Sequence, residues 1–224
     1  MIRRIAPYSL RGFLYYQGEE DVQRYADYSD MMLMLVKQWR MDWNDWNLPF
    51  LFVQLPMYLA DGEKDDSYWA LQREQQYIAS MMIQNTGMIS LADCGEYDNI
   101  HPLDKKTPGE RLFQLAKNLV YDKQGTITAT AAQLFSDNGK LYVTFDHLHE
   151  KLVMQTANGC PFEISGEDNL FYPAKADVIH GNMLCISNPA VKFPSAVKYA
   201  WYNFGEAALF TESGNPVSPF FKCV

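Results

Sequence analysis

Apolar residues in the first half of the chain form three short runs, at residues 9–17, 49–55 and 88–92. Between these runs, apolar residues recur every three to four positions over residues 21–46 and 67–84. Short apolar runs are typical of buried parallel strands, and the longer period is typical of helices with one buried face. The pattern therefore predicts three strand-helix units in succession, which form a parallel sheet with crossover helices. In the second helix, the residues expected to face the core are Trp69, Leu71, Tyr77, Ile78 and Met81.

The third helix is predicted from its first turn. Thr107 is a suitable N-cap, Pro108 falls at the first helical position, and Glu110 completes a capping box three residues after the cap. We therefore expect residues 93–106 to form the loop between the third strand and this helix, where open α/β sheets usually carry their sites. The apolar face of the helix is formed by Leu112, Leu115, Ala116 and Leu119.

After residue 121 the pattern changes to short apolar runs separated by Gly, Asn, Asp and Pro. This spacing is typical of antiparallel strands and favours a sandwich-like packing. The sequence therefore predicts an α/β fold with two domains, a parallel-sheet domain over residues 1–122 and a β-rich domain over residues 123–224. The strands of the second domain are expected at residues 126–130, 141–145, 151–154, 162–164, 174–179, 183–187 and 196–201.

Charge and hydropathy exclude several classes of partner. The formal net charge is −8 at pH 7, so the chain lacks the basic surface that binds nucleic acids or anionic membranes. Its apolar runs are far shorter than the roughly 20 residues needed to cross a bilayer. The two arginines near the N-terminus are not followed by an apolar core, so we expect no secretion signal within this chain.

Neither a metal nor a cofactor is predicted. The cysteines have no C-x-x-C spacing, which is consistent with scattered thiols rather than a zinc site or a disulfide framework. His147 and His149 could place two imidazoles on one face of a strand, but no third ligand can be named. Cys94, near Asp98, would need a neighbouring histidine and a lowered pKa to act as a nucleophile. The four cysteines are Cys94, Cys160, Cys185 and Cys223.

The loop before the third helix contains a carboxylate and an imidazole three positions apart, Asp98 and His101. At this spacing the carboxylate can accept a hydrogen bond from imidazole Nδ1, fix the tautomer and stabilise the imidazolium formed when Nε2 takes a proton. Pro102 biases the backbone of His101 away from the helical region. The pair corresponds to two members of a hydrolytic triad, although a loop aspartate that merely bonds a surface histidine gives the same pattern.

Three stretches of the chain match the blocks of one protein family. The sequence Gly-Phe-Leu-Tyr-Tyr-Gln-Gly-Glu-Glu-Asp at residues 12–21 is similar to a Gly-x-x-Trp-Tyr-Gln-Gly-Glu-Ser-Asn block. Residues 85–112, with Asp98-x-x-His101-Pro, match a later block, and residues 196–220 match a closing segment. Together these stretches resemble the sialate O-acetylesterase family, a branch of the SGNH (GDSL-like) hydrolases. In the first block Tyr15, Glu20 and Asp21 replace Trp, Ser and Asn.

The resemblance implies an enzyme that hydrolyses acetyl esters on sialic acid or other sugars. It implies that His101 is the general base and later the general acid, and that Asp98 orients it. By the same resemblance, Gln17, Gly18 and Glu19 bind the oxyanion and the substrate. Residues 1–122 are then part of an SGNH-hydrolase-like catalytic domain, and the expected location is the periplasm or the extracellular space.

One family block has no match in this chain. The family nucleophile is a serine in a Gly-Gln-Ser-Asn block upstream of the Gln-Gly-Glu block, and no Gly-x-Ser-Asn sequence occurs here. Residues 1–8 resemble the interior of the family domain, so we expect the chain to be its C-terminal portion. The alternative is a non-catalytic carbohydrate-binding or interaction module. Absent upstream strands would leave one sheet edge unpaired and would favour self-association.

Overall fold

The structure is a computed structural model and describes residues 2–6 and 8–224. Met1 and Pro7, which belong to the stretch that resembles the interior of the family domain, lie outside the described residues. The fold is mixed α/β: the parallel strands precede residue 91 and the antiparallel strands follow residue 129. None of the described helices combines the length and the apolar character that a bilayer crossing requires.

The parallel sheet has three strands in the order β1 (Phe13–Tyr15), β2 (Phe50–Gln54) and β3 (Thr86–Ser90). All five residues of β2 are buried because the strand lies in the centre of the sheet, and β1 forms one edge. The predicted parallel sheet is therefore confirmed. β1 is shorter than the predicted run at residues 9–17, since only its middle residues pair with β2.

Three α-helices cover the sheet: α1 (Tyr28–Asp42), α2 (Tyr68–Met82) and α3 (Lys106–Leu119). The first two pack on one face of the sheet around Phe50 and Phe52, and α3 packs on the other face around Leu51 and Val53. The helix predicted over residues 21–46 is divided, because a 3₁₀ helix at Glu19–Asp27 precedes α1. A further 3₁₀ turn spans Ile2–Arg4.

The buried side of α2 contains three polar residues beside Trp69, Ala70 and Ala79. Gln72, Arg73 and Gln76 are buried, whereas Met81 is 65% exposed, so the prediction that Met81 faces the core is wrong. The reason is that α2 lies against the ends of two strands and against a loop of the β-rich region. Backbone groups there need hydrogen-bond partners, which the side chains of Arg73 and Gln76 supply.

The second half of the chain forms antiparallel sheets, as predicted. One sheet has the order β4-β5-β10-β9, a second has the order β13-β11-β7-β8, and β12 pairs with β6. The predicted strand at residues 126–130 is wrong in position, because β4 begins at Thr130. The bounds are β4 Thr130–Asp137, β5 Lys140–Asp146, β6 Leu152–Met154, β7 Phe162–Ser165, β8 Tyr172–Pro173, β9 Lys175–Ile179, β10 Met183–Ser187, β11 Ala196–Tyr199, β12 Leu209–Thr211 and β13 Phe220–Cys223.

The junction between the parallel and antiparallel regions is packed and hydrogen-bonded. Met57 and Ala92, from the parallel region, belong to the same buried cluster as Leu141 and Val197 of the β-rich region. Asn203 makes four hydrogen bonds across this junction, to groups at the start of α2 and in the segment after β2. The domain boundary between residues 122 and 123 stays a prediction.

One carboxyl group at this junction links stability to pH. Burial raises the pKa of Glu74 on α2 from 4.5 to about 7, and the Lys222 ammonium on β13 only partly opposes this. A raised carboxyl pKa means that folding favours the neutral form of the side chain. The contribution of Glu74 to folding stability is therefore fully present below pH 4.5 and is lost as the pH rises through about 7. Replacing Glu74 by glutamine should therefore stabilise the protein by about 2 kcal/mol at pH 8 and by little at pH 4.5.

Thermal unfolding followed by circular dichroism at these two pH values tests this expectation. The gain at pH 8 corresponds to a rise in Tm of about 5 °C for a chain of this size. Glu20→Gln, at an exposed position, is the matched control and should leave both Tm values unchanged. An equal shift at both pH values would contradict the assignment to Glu74 ionisation.

Candidate active site

The segment that follows β1 is held by hydrogen bonds between partly buried polar groups. The side chain of Gln17 donates from Nε2 to Asp21 Oδ2 at 2.7 Å and accepts from the Tyr15 hydroxyl at 3.2 Å. Its backbone carbonyl accepts from the Tyr28 hydroxyl at 3.1 Å. Burial raises the pKa of Tyr28, so its phenol stays protonated and acts as a donor. Gln17 is thus fixed on both its backbone and its side chain.

Two glutamines of α2 lie beneath this segment. Gln76 donates from Nε2 to the Gln17 carbonyl at 3.2 Å and accepts at Oε1 from the Leu55 backbone N–H at 2.8 Å, so it joins the carboxyl ends of β1 and β2. Gln72, one turn earlier, is fully buried, and within the described part of the chain its amide has no hydrogen-bond partner. Gly18 has φ of 144°, and a Cβ there would lie 3.0 Å from Gln76 Nε2 and 3.1 Å from Gln72 Nε2. The positive φ favours glycine at this position, and the two amide groups leave little room for a side chain.

The loop that follows β3 is anchored to α3 by an ion pair. Arg111 binds the Asp93 carboxylate with both terminal guanidinium nitrogens, at 2.6 and 2.7 Å, and also donates to the Ser90 carbonyl at 3.0 Å. Bidentate pairs of this kind combine charge with fixed geometry. The pair of Arg111 and Asp93 therefore fixes the position at which the loop leaves the sheet.

The first turn of α3 is capped differently from the prediction. The helix begins at Lys106, and the Asp104 carboxylate accepts from the backbone N–H groups of Lys106 and Thr107, each at 3.0 Å. The prediction that Thr107 is the N-cap is therefore wrong. A carboxylate is the stronger acceptor at a helix N-terminus, where the dipole also favours negative charge. Hydrogen bonds from Thr107 lower the pKa of Asp104 accordingly.

Inside the loop, Glu96 organises the backbone around the histidine. Its carboxylate accepts from the Asn99 side chain and from the Leu103 backbone N–H, both at 2.6 Å. Asn99 in turn accepts from the His101 backbone N–H at 3.1 Å. Ile100 packs against the cluster that contains Leu55. The sequence analysis missed this role of Glu96, although a glutamate five residues before His101 in a polar loop was a usable signal.

Asp98 and His101 lie in this loop, as predicted, and both are exposed. Asp98 has φ of 57°, donates its N–H to the Leu59 carbonyl and accepts from the Asp61 N–H at Oδ1, both at 2.9 Å. Within the described residues, no hydrogen bond or ion pair joins the Asp98 carboxylate to the His101 imidazole. The aspartate is thus held by the segment after β2, and its role toward the histidine stays a prediction.

The two sequence blocks meet at the same end of the sheet. Ile100, from the histidine loop, and Tyr16, from the glutamine segment, both pack on the buried cluster of Val22, Leu55 and Trp69. The Lys105 ammonium also lies 5.2 Å from the centre of the Tyr16 ring. The carboxyl ends of parallel strands are where α/β sheets bind ligands. Gln17, Gly18 and Glu19 therefore lie in the same region as the histidine loop.

The thiol of Cys94 is not activated as a nucleophile. Burial, and then the neighbouring Asp93 carboxylate, raise the pKa of Cys94 to about 12, so its thiol is protonated and unsuited to nucleophilic attack at neutral pH. Across residues 2–6 and 8–224 there is no group of three His, Cys, Asp or Glu side chains that would hold a metal ion.

Two buried glutamines of α2, Gln72 and Gln76, were missed by the sequence analysis, and their i,i+4 spacing was the available signal.

Comparisons with known proteins agree on one family. Residues 1–118 match the family model of the carbohydrate esterase, sialic acid-specific acetylesterase. Mouse sialate O-acetylesterase is 27% identical over 98% of this chain and 46% of its own length, and human sialate O-acetylesterase is 26% identical over 74% of this chain and 35% of its own.

A solved structure gives the same result. The crystal structure of a carbohydrate acetylesterase from Xanthomonas citri superposes with a TM-score of 0.89 at 32% identity, over 97% of this chain and 51% of that one. The chain thus spans between 35% and 51% of the length of these three relatives. The matched blocks, the fold and these comparisons establish that the chain belongs to the sialic acid-specific acetylesterase family of carbohydrate esterases.

Proposed function

We propose that this chain carries the acid-base half of a carbohydrate O-acetylesterase, with the nucleophilic serine outside the chain. In this proposal residues 1–122 are part of an SGNH-hydrolase-like catalytic domain, and the β-rich region packs beside it. The observation that supports the proposal most is the common location of the Asp98 and His101 loop and the Gln17 segment at one end of the parallel sheet.

The reaction follows from the chemistry of these groups. His101 Nε2 takes the proton of the serine hydroxyl as its oxygen attacks the acetyl carbonyl carbon of the sugar ester. The tetrahedral intermediate collapses with cleavage of the bond to the sugar oxygen, which receives the proton from the imidazolium. Water then attacks the acetyl-serine, with His101 again as the base, and acetate and the free serine are released.

In this mechanism Asp98 supports the imidazole, and the Gln17 segment supports the oxyanion. Only Oδ1 of Asp98 accepts the Asp61 N–H, so Oδ2 is left to accept from His101 Nδ1 and stabilise the imidazolium. Donors of the Gln17, Gly18 and Glu19 segment would stabilise the oxyanion, and Gln76 and Tyr28 keep this segment rigid. Rigid donors stabilise developing charge without reorganisation during the reaction.

One observation favours a second function. The chain contains no Gly-x-Ser-Asn sequence, so a non-catalytic carbohydrate-binding or interaction module also fits its residues. The two functions differ in one measurable respect: the module binds an acetylated sugar without releasing acetate. In either case we propose an acetylated sugar or sialic acid as the ligand, and the periplasm or the cell exterior as the location.

The isolated chain is expected to release no acetate from p-nitrophenyl acetate above the background rate. Without a serine held about 3 Å from the imidazole, the positioning that contributes several kcal/mol to catalysis is absent. Joining the unmatched half of the Xanthomonas citri carbohydrate acetylesterase ahead of this chain should restore saturable turnover. The measurement is the initial rate of the chain and of this fusion protein at equal concentrations.

A serine-directed phosphonate provides the complementary measurement. It should label the fusion protein at one serine in the added half and should leave the isolated chain unlabelled. Saturable turnover of the isolated chain, with stoichiometric labelling of one of its own serines, would contradict the proposal. An inactive fusion protein that still binds an acetylated sugar would favour the module.

A further inference from the structure

A cavity of about 290 Å³ lies where the parallel and antiparallel regions meet. Residues that follow the carboxyl ends of β2 and β3 form one part of its wall, namely Met57, Ala92, Asp93 and Gly95. The β-rich region forms the rest, with Gln155, Thr156 and residues 204–207. Small-molecule sites are common between packed regions and at the carboxyl ends of parallel strands. We call this space the junction cavity, and it adjoins the histidine loop, which contains Asp93 and Gly95.

An aromatic pair connects the junction cavity to the histidine loop. The Phe204 ring, which lines the cavity, lies 5.6 Å from the Tyr97 ring at an interplanar angle of 64°. Tyr97 directly precedes Asp98 and is 48% exposed, and its hydroxyl donates to Asp61 Oδ1 at 3.0 Å. These two contacts hold the Tyr97 ring at the surface. A ring that is fixed and half exposed presents an apolar face on which a ligand ring can pack.

Polar side chains without internal partners also line the junction cavity. Gln155 and Thr156 are exposed, and within the part of the chain that the structure describes neither side chain makes a hydrogen bond. The Gln155 backbone N–H donates to the Ala208 carbonyl at 2.8 Å, which fixes the segment that carries both residues. An amide and a hydroxyl can each donate and accept hydrogen bonds. The pair therefore matches the hydroxyl groups of a sugar, which also do both.

The charges around the junction cavity favour a neutral ligand. Its Asp93 carboxylate is paired with Arg111. Its Glu206 carboxylate accepts from the backbone N–H and the side-chain amide of Asn158, each at 2.7 Å, and these hydrogen bonds lower the pKa of Glu206. Among the described residues that line the cavity there is no lysine or arginine. A sugar carboxylate, such as that of sialic acid, would therefore meet a like charge without a cation in the wall to offset it.

We infer that the junction cavity binds a neutral sugar unit of the glycan that carries the acetyl ester, separate from the acetylated unit itself. The volume, near the lower end of the usual range of about 300 to 1,000 Å³, suits one sugar ring. The apolar face of that ring packs on Phe204 and Tyr97, and its hydroxyls bond to Gln155 and Thr156. The inference deepens the proposed function and rests on it for the ester alone. The substrate is then a glycan chain rather than a free acetylated sialic acid, and the remote unit contributes binding energy.

Binding of the neutral unit can be measured without catalysis. The probe is an array of neutral and sialylated glycans without acetyl esters, and we expect the isolated chain to bind neutral members. For a bound neutral glycan, isothermal titration calorimetry should show about fivefold weaker binding by Gln155→Ala, because one neutral hydrogen bond is lost. Tyr97→Ala should weaken it about tenfold through loss of the ring contact. Gln133→Ala is the matched control, at an exposed glutamine on β4 that does not line the cavity.

The fusion protein separates this inference from the proposed function. For an active fusion protein, Gln155→Ala should lower the ratio of kcat/KM for the acetylated form of the bound glycan to kcat/KM for p-nitrophenyl acetate, because only the glycan reaches the cavity. Three results would overturn the inference: no glycan bound, sialylated glycans alone bound, or an affinity that neither Gln155→Ala nor Tyr97→Ala changes while Tm is retained. A fusion protein that binds the neutral glycan through these residues but releases no acetate would retain the inference and contradict the proposed function.

Discussion

Replacing His101 by alanine in the fusion protein is expected to lower kcat/KM for p-nitrophenyl acetate by about 10³-fold or more. Removal of a general base costs two to four orders of magnitude, and the acyl-enzyme route needs this base in both steps. The fold should be unaffected, since His101 is exposed and contributes to the loop through its backbone N–H to Asn99. Steady-state kinetics together with the Tm separates loss of catalysis from loss of structure.

Two further variants sharpen this measurement. Asp98→Asn should cost less than His101→Ala, because an asparagine Oδ1 still accepts the Asp61 N–H and keeps the loop in place while the supporting charge is lost. His147→Ala, at an exposed histidine in the β-rich region, should leave turnover unchanged. Near-wild-type turnover of His101→Ala would remove the histidine from the mechanism.

Replacing Gly95 by alanine is expected to destabilise the chain by about 3 kcal/mol or more. A Cβ at this position would lie 2.0 Å from the Met57 carbonyl oxygen and 2.7 Å from its carbonyl carbon and amide nitrogen. Because these are backbone atoms of the buried segment after β2, they cannot move aside as a flexible side chain can. Overpacking of this type is among the few mechanisms that give large effects from one methyl group.

Thermal unfolding measures this effect, and a drop in Tm of about 10 °C corresponds to it. Gly109→Ala is the matched control, since a Cβ there meets no atom within 4 Å and the residue lies in α3. Alanine in a helix should raise stability by about 0.5 to 1 kcal/mol relative to glycine. Equal Tm values for both variants would show that the loop at Gly95 does not pack on Met57 as described.

Local sequence patterns predicted the elements whose structure is determined by residues close together in the sequence. The continuous apolar run of β2 indicated a buried parallel strand, and all its residues are buried. The polar loop between β3 and α3 was likewise placed correctly, because a strand run and a helical period bound it on either side. Such features follow from neighbours in sequence and therefore can be inferred without a structure.

Features that depend on distant partners could not be predicted in this way. Gln76 is buried because Leu55 and Gln17, which are far from it in sequence, present backbone groups to it. Asp98 engages the Asp61 N–H, although its spacing to His101 suggested the imidazole alone. In each case the side chain binds a backbone group that is distant from it in sequence.

Asn203 has a consequence for how such a chain can evolve. Its side chain accepts from the Trp69 N–H in the first turn of α2 and donates to Asp66, and its backbone binds Asp65 and Tyr58. A recombination event that exchanged the β-rich half for an unrelated module would leave these groups unsatisfied beside the helix that supports Gln17. The two halves should therefore be inherited together, and libraries that shuffle them between relatives should recover function only where an asparagine is retained at this position.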